Sequence, residues 1–382
     1  MQYYLAFLIG SQFNIGSLYI AFTAYVFLMK LANMNGEFSS IQWQYLAIAV
    51  IGTILSFIYM FLNDQAYNDP TILLIIRKYL IQITFAIALY EFLKVKNLQY
   101  VLNIIFLSII PNIIIGTYEL IKFFPERIDM LFPEPSSAGY YYLFVFFILF
   151  ENFKQNIPFW LTRYYMLLGL AIGSKAQIIL LSIVAVLKYS TPLKLFSLSF
   201  VTLLIFYIFK DKLLSIEVVD YNLKVLNIYL DEGLAGLKTS NSVWGTYVTR
   251  ISALQGAAMC LVDYPFGIGF GGYNSWYVSN MFAIPFESSE TDDIFAGIKY
   301  ASTKSNLFQF FVSTGLFGLF FYFSWLKSFF KIRKEKEYLF QSFIILSLAS
   351  TFIELNPMYV YFMFLFILKE KELLVNNEGE DT

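Results

Sequence analysis

The chain contains no histidine and a single cysteine, Cys260, among 382 residues. Imidazole acid–base catalysis, His-ligated zinc or haem and Ser-His-Asp hydrolysis are therefore closed to it. One thiol supports neither an intramolecular disulfide nor a multi-cysteine metal site. Proton chemistry falls to carboxylates, lysine, tyrosine or Cys260. Four segments carry residues suited to such chemistry. In Phe132-Pro133-Glu134-Pro135-Ser136-Ser137-Ala138-Gly139, two prolines fix the backbone around Glu134. That carboxylate is either a capping acid at a helix entry or a rigidly held general base. Gly173-Ser174-Lys175-Ala176 offers an anion a hydroxyl, an ammonium and the free N–H groups of a helix start, unless Lys175 is a plain interfacial lysine. Residues 244–264 read as an amphipathic helix bearing Arg250, entered through Thr239-Ser240-Asn241-Ser242. The run Pro265-Phe266-Gly267-Ile268-Gly269-Phe270-Gly271-Gly272-Tyr273 follows it. It has no preceding strand and no P-loop lysine, so it does not fit a nucleotide site. Its glycines let the backbone approach a ligand or pack against membrane helices. Last comes Thr303-Lys304-Ser305-Asn306-Leu307-Phe308-Gln309, leading to Gly315-Leu316-Phe317-Gly318. Ser305 there is a helix cap or a site residue, and the two glycines suit close helix packing. No Asp-x-Asp metal signature occurs; Asp292-Asp293 reads as a solvated acidic pair.

The elements that position these segments follow from composition. The chain is 58% hydrophobic, 20% aromatic and only 14% charged, with a mean hydropathy of +0.63. Soluble domains carry nearer ~25% charged residues, so an ordinary water-soluble fold is excluded. Apolar runs predict about eleven spanning helices, with a range of roughly ten to thirteen, each needing ~20 residues. They fall at 3–29, 41–62, 71–93, 97–118, 139–155, 158–173, 176–188, 194–210, 303–326, 338–354 and 357–369. Gly10-Ser11 and Asn14 interrupt the first run. The N-terminus has no basic n-region or small-residue cleavage site and reads as an uncleaved first helix. The expected organisation is a bundle over 1–210, a loop over 211–302, further spans over 303–369 and a tail over 370–382. The fold class is an all-α polytopic integral membrane protein.

Basic short loops stay cytoplasmic. Lys327, Lys331, Arg333, Lys334 and Lys336 collect between the ninth and tenth runs. With that loop inside, alternation also places Lys30, Lys94 and Lys96, Lys154, Lys188 and Lys194, and Lys369 and Lys371 inside. The outer side then receives the 63–70 loop, the 119–139 loop, the 173–175 turn and residues 211–302, the last with ten acids against five bases. A loop of that length is functional more often than passive. Bases on the outer side oppose the orientation rule: Arg77, Lys78, Lys122, Arg127, Lys175, Lys212, Arg250 and Lys304. Arg77 and Lys78 lie about seven residues into their span, where they either snorkel to headgroups or face inward to an anion. Overall charge is balanced, 26 bases to 27 acids, which gives no basic character for nucleic acid.

Taken in order, Ser174-Lys175, Arg250 with Pro265-Phe266-Gly267-Ile268-Gly269, and Ser305-Asn306 with Gly315 to Gly318 resemble motifs of the O-antigen polymerase and ligase family. The Glu-Pro-Ser at 134–136 is similar to one in many of the polymerases. The resemblance covers roughly residues 130–325 and rests on motif order as well as motif content. It implies a GT-C-like membrane glycosyltransferase in a bacterial inner membrane, with the large loop periplasmic and the C-terminus cytoplasmic. Ligases place a histidine where Ser305 stands; its absence argues against ligase, favours polymerase, and argues against an acid–base role at Ser305. The implied reaction is attack by a sugar hydroxyl of one lipid-linked unit on the anomeric carbon of a chain carried by undecaprenyl diphosphate. Arg250 and Lys175 are the expected diphosphate contacts, with Arg77 and Lys304 as weaker members, Asn306 and Tyr273 as further substrate contacts, and Glu134 as the base. No metal or other cofactor is required. The implied partners are the undecaprenyl-diphosphate-linked oligosaccharide, the bilayer and a chain-length regulator. The alternatives are a ligase-type transferase and, from a different class, a polysaccharide flippase.

Overall fold

The computed structural model describes residues 1–11, 16–33, 37–63, 70–123, 128, 130–132, 135–152, 159–172, 241–284, 290–352 and 358–380. Glu134, Lys175, Arg127, Lys212 and the expected spans at 176–188 and 194–210 lie outside those residues. The protein is all-helical, with no strand among the described residues. Helices α1 (Gln2–Gly10), α2 (Gly16–Asn33), α3 (Ser40–Leu62), α4 (Pro70–Leu93), α5 (Leu98–Phe123), α6 (Pro135–Asn152) and α7 (Phe159–Ile172) come first. After these come α8 (Asn241–Asp263), α9 (Gly272–Asn280), a single 3-10 turn (Met281–Ala283), α10 (Thr291–Phe295), α11 (Asn306–Lys331), α12 (Glu337–Phe352) and α13 (Met358–Glu380). Among the described residues, four helices are long and apolar enough to cross a membrane: Ser40–Leu62, Thr71–Leu93, Leu98–Lys122 and Asn306–Lys331. Their outward faces carry large apolar side chains. Val50, Ile54, Phe57, Ile58 and Phe61 are exposed on α3, and Leu316, Phe317, Phe320 and Phe323 on α11. Such continuous apolar stripes suit lipid rather than water.

The first apolar run is not one helix. α1 stops at Gly10 because Ser11 is extended (φ −140°, ψ 152°), and its last carbonyls are left without helical partners. Four side chains satisfy them. Ser11 Oγ donates to Phe7 O at 2.7 Å, Tyr19 OH to Leu8 O at 3.2 Å, Tyr361 OH to Ile9 O at 3.1 Å and Asn112 Nδ2 to Gly10 O at 2.7 Å. Three of the four come from other helices, α2, α5 and α13, so the break is held by tertiary structure. α13 also differs from expectation: it continues to Glu380, past the predicted end at 369.

Side-chain chemistry pins the helix ends. Ser39 and Gln42 form a capping box at α3: Ser39 N–H donates to Gln42 Oε1 at 2.9 Å and Gln42 N–H to Ser39 Oγ at 3.4 Å. Gln42 Nε2 also reaches Glu91 Oε2 on α4 at 3.1 Å. Glu91 binds Lys94 at 2.7 Å and Lys30 at 3.4 Å. Lys371 Nζ donates to Lys94 O, while Glu372 takes Lys336 at 2.6 Å and Tyr338 OH at 2.6 Å. Lys30, Lys94, Lys336 and Lys371, predicted to share a side, thus meet at one end of the bundle. Between the ends, Tyr45 stacks on Trp325 (5.4 Å), Trp325 on Phe310 (5.9 Å) and Phe329 on Phe343 (4.7 Å), so aromatic rings fill the seam among α3, α11, α12 and α13.

Candidate functional site

Two of the segments singled out in the sequence, the glycine run after α8 and the segment that opens α11, converge toward the end of the bundle opposite the lysine-rich one. The glycine run after α8 threads between α3, α4 and α11. Ile268 N–H donates to Val312 O at 2.9 Å, Gly269 N–H to Ser313 O at 3.0 Å and Phe270 N–H to Gly52 O at 3.2 Å. In return, Leu316 N–H donates to Pro265 O at 2.9 Å. Helix α11 breaks at Gly315 (φ 57°, ψ −138°), which frees the very groups that the run engages. Buried backbone must be paired, and here an unwound turn and a re-entrant strand-like segment pair each other. Glycine is required on both sides: a Cβ on Gly315 would lie 2.2 Å from Phe266 C, and one on Gly269 would lie 2.1 Å from Ser56 N. Gly267, Gly269 and Gly271 also have φ of 95°, 81° and 86°, a region open to glycine. Gly52 is about 15 Å along α3 from Gln42 at 1.5 Å per residue, so the run descends to the middle of that helix. Phe270, fully buried, stacks on Tyr79 at 4.8 Å.

Above the run, polar side chains join α6, α11 and α12. Ser305 caps α11, accepting from Phe308 N–H at 3.2 Å, and its hydroxyl donates to Ser350 O at 3.1 Å. Ser350 Oγ pairs with Tyr140 OH at 2.7 Å, on the helix that Pro135 opens directly after Glu134. Lys304, at a positive φ of 52°, binds Glu290 at 3.0 Å. Lys299 binds Asp293 at 2.8 Å and Glu290 at 3.6 Å, and Asp293 with Glu290 holds the Lys299 ammonium above its ordinary pKa. Asp293 is therefore an anchor for a lysine rather than a merely solvated acid. Its backbone carbonyl also accepts from Ile298 and Lys299.

The expected site residues have different fates. Arg250 is exposed on α8, a helix that buries Ser252, Ala253, Ala257 and Cys260. Arg77 and Lys78 are exposed on α4 beside exposed Leu73 and Leu74, on the apolar outward face rather than toward the bundle interior. Lys304 is committed to Glu290, and Asn306 is buried in the first turn of α11. Tyr273 is buried, its hydroxyl donating to Ala253 O at 3.0 Å, and burial pushes that phenol well above its ordinary pKa. Burial, with Asp263 adding to it, likewise raises the Cys260 thiol, so it is no thiolate nucleophile near neutral pH. Among the described residues, no three Cys, Asp or Glu side chains gather as a metal cage. The sequence did not single out Glu290, Ser350, Tyr140 or Ser56. Only Glu290 had a local signal, as the third acid in Glu290-Thr291-Asp292-Asp293; the others are ordinary span residues until folding joins them. No protein-family model matches the chain, and no curated protein matches it either.

Proposed function

We propose that this chain polymerises lipid-linked oligosaccharide repeat units, as a polytopic protein of about eleven spans with its glycine-run end on the outer side of a bacterial inner membrane. One observation carries the proposal. The Pro265–Gly269 run and the Gly315 turn, two separate motifs of the O-antigen polymerase resemblance, interlock backbone to backbone. Ser305-Asn306, which belongs to the same motif as Gly315, starts that helix. A shared structural unit built from these motifs supports reading them together.

In the proposed reaction, the acceptor's sugar hydroxyl attacks the anomeric carbon of the donor chain, the C–O bond to undecaprenyl diphosphate breaks, and the diphosphate leaves with the electron pair. The hydroxyl proton passes to Glu134 or to the departing diphosphate. Charge builds on that diphosphate, and a well-placed fixed cation there is worth ~10²–10³ in rate. Arg250, exposed, is the foremost candidate and Lys175 the second. Lys304 acts less directly, since Glu290 already neutralises it. Arg77 and Lys78, facing outward beside leucines, suit anionic headgroups arriving from the bilayer. Strains carrying Arg250→Ala or Glu134→Gln should make single-repeat caps in place of a polymer ladder, with the protein still in the membrane. Normal ladders from both would remove the assignment.

A transporter such as a polysaccharide flippase is the second reading, favoured by the helix breaks after Gly10 and at Gly315, since transporters bind substrate at discontinuous helices. Purified protein with lipid-linked repeat units separates the two: polymer formed without an energy source supports the enzyme. The same assay with a lipid acceptor distinguishes a ligase.

A further inference from the structure

The segment leading into α11 exposes an apolar edge. Phe282 is 78% exposed, Phe295 67%, Ile298 72% and Tyr300 57%. Residues 295–300 are exposed without interruption, and the Phe282 and Phe295 rings lie 6.3 Å apart. We propose that this edge is an interfacial anchor seated in the headgroup boundary of the bilayer leaflet at the N-terminal end of α11.

Three observations select lipid as the occupant. First, the height is fixed: Lys304, one residue before the α11 cap, binds Glu290, one residue before α10. The edge therefore lies level with the mouth of a helix apolar enough to span a membrane. Second, the turn's backbone is closed on itself. The N–H groups of Ala296, Gly297, Ile298 and Lys299 donate to Asp292 O, Ile294 O and Asp293 O at 2.8–3.1 Å. That closure lets the turn enter an apolar boundary without leaving those N–H groups unpaired. Third, both lysines are neutralised within the segment, because Lys299 pairs with Asp293 and Glu290 and Lys304 with Glu290. Beside the paired Lys299, the turn presents phenylalanine, isoleucine and tyrosine outward, the composition of an interfacial belt. A sugar-binding platform would need free polar partners beside the rings, and Ile298 and Phe282 offer none.

Ile298→Cys and Phe295→Cys, each spin-labelled in the full chain and reconstituted into phosphatidylcholine vesicles, test the anchor. Asp292→Cys, on the exposed polar side of α10, is the water-facing reference, and the unsubstituted chain gives the background from buried Cys260. Labels at 295 and 298 should collide several-fold more with oxygen than with a water-soluble nickel chelate, and the label at 292 the reverse. Replacing half of the lipid with phosphatidylglycerol should leave the ratios nearly unchanged, since both lysines of the segment are already paired with its own acids. Nickel-dominated collisions at both 295 and 298 would overturn the proposal. So would immobilisation of a water-exposed 298 label by soluble oligosaccharide, which would make the edge a sugar platform. The readout does not involve polymer synthesis, so it stands or falls apart from the polymerase proposal.

Discussion

Asn112 illustrates how much a single polar residue does inside this bundle. It is fully buried, and each of its polar groups is used: Nδ2 donates to Gly10 O at 2.7 Å and Ser108 O at 2.9 Å, and Oδ1 accepts from Leu131 N–H at 3.3 Å. It follows Pro111, which cannot donate within α5, and its side chain adds a bond one turn back along that helix while reaching across to α1. Removing it strands the α1 terminus. Asn112→Ala should cost about 1–3 kcal/mol, the usual penalty for leaving a buried polar group unpaired. A lowered unfolding midpoint in detergent checks this, and Asn112→Leu should be no better, because volume is not what is lost. At Lys299 the effect depends on pH. Its pKa lies above the ordinary 10.5 because Asp293 and Glu290 favour the ammonium. The pairing is fully present below pH 10.5 and is lost as pH rises through the elevated value. Being exposed, it is screened by salt. Protease cleavage within 290–300 should rise in alkali but stay flat between pH 6 and 9, and Lys299→Met should remove the alkaline rise.

At the scale of elements, the interlock between the glycine run and broken α11 decides whether the outer end assembles. Gly315→Ala combines strain of about 1–3 kcal/mol, from a backbone conformation (φ 57°, ψ −138°) open essentially to glycine, with a Cβ placed against backbone that cannot move aside. The run should be expelled, and cleavage within 265–272 should appear at temperatures where the parent chain resists. Gly297 makes the control, since it has a comparable φ of 70° but no atom within 4 Å of an added Cβ. Gly297→Ala should show only the strain and leave the run protected. Equal damage from both substitutions would mean that conformation, not close approach, makes Gly315 necessary.

Across the whole molecule, two polar ends sandwich an aromatic seam. One end gathers Lys30, Glu91, Lys94, Lys336, Lys371 and Glu372; the other holds Ser305, Ser350, Glu290, Lys299 and Lys304. In the proposed topology these face opposite compartments. An impermeant thiol reagent added to intact cells should therefore label Asp292→Cys and spare Lys334→Cys, both exposed positions, with the pattern reversing in inverted vesicles. Labelling of both from one side would contradict the topology.

The membrane character, the helical class and the lengths of α3, α4, α5 and α11 were written in the sequence, because a helix that must satisfy its own backbone in lipid needs a long apolar run and little else. The common end for Lys30, Lys94, Lys336 and Lys371 was also legible, as charge in loops is a local property. The glycine spacing around 265–272 announced a close approach but not its partner. That partner, the turn at Gly315, was decided by tertiary structure alone, since the matching gap is made from backbone groups whose freedom no residue type reports. The same holds for the four side chains that cap α1, for Tyr140 and Ser350, and for the pairing that commits Lys304 to Glu290. Sequence sets which groups need partners; only the packed chain brings a particular partner within 3 Å.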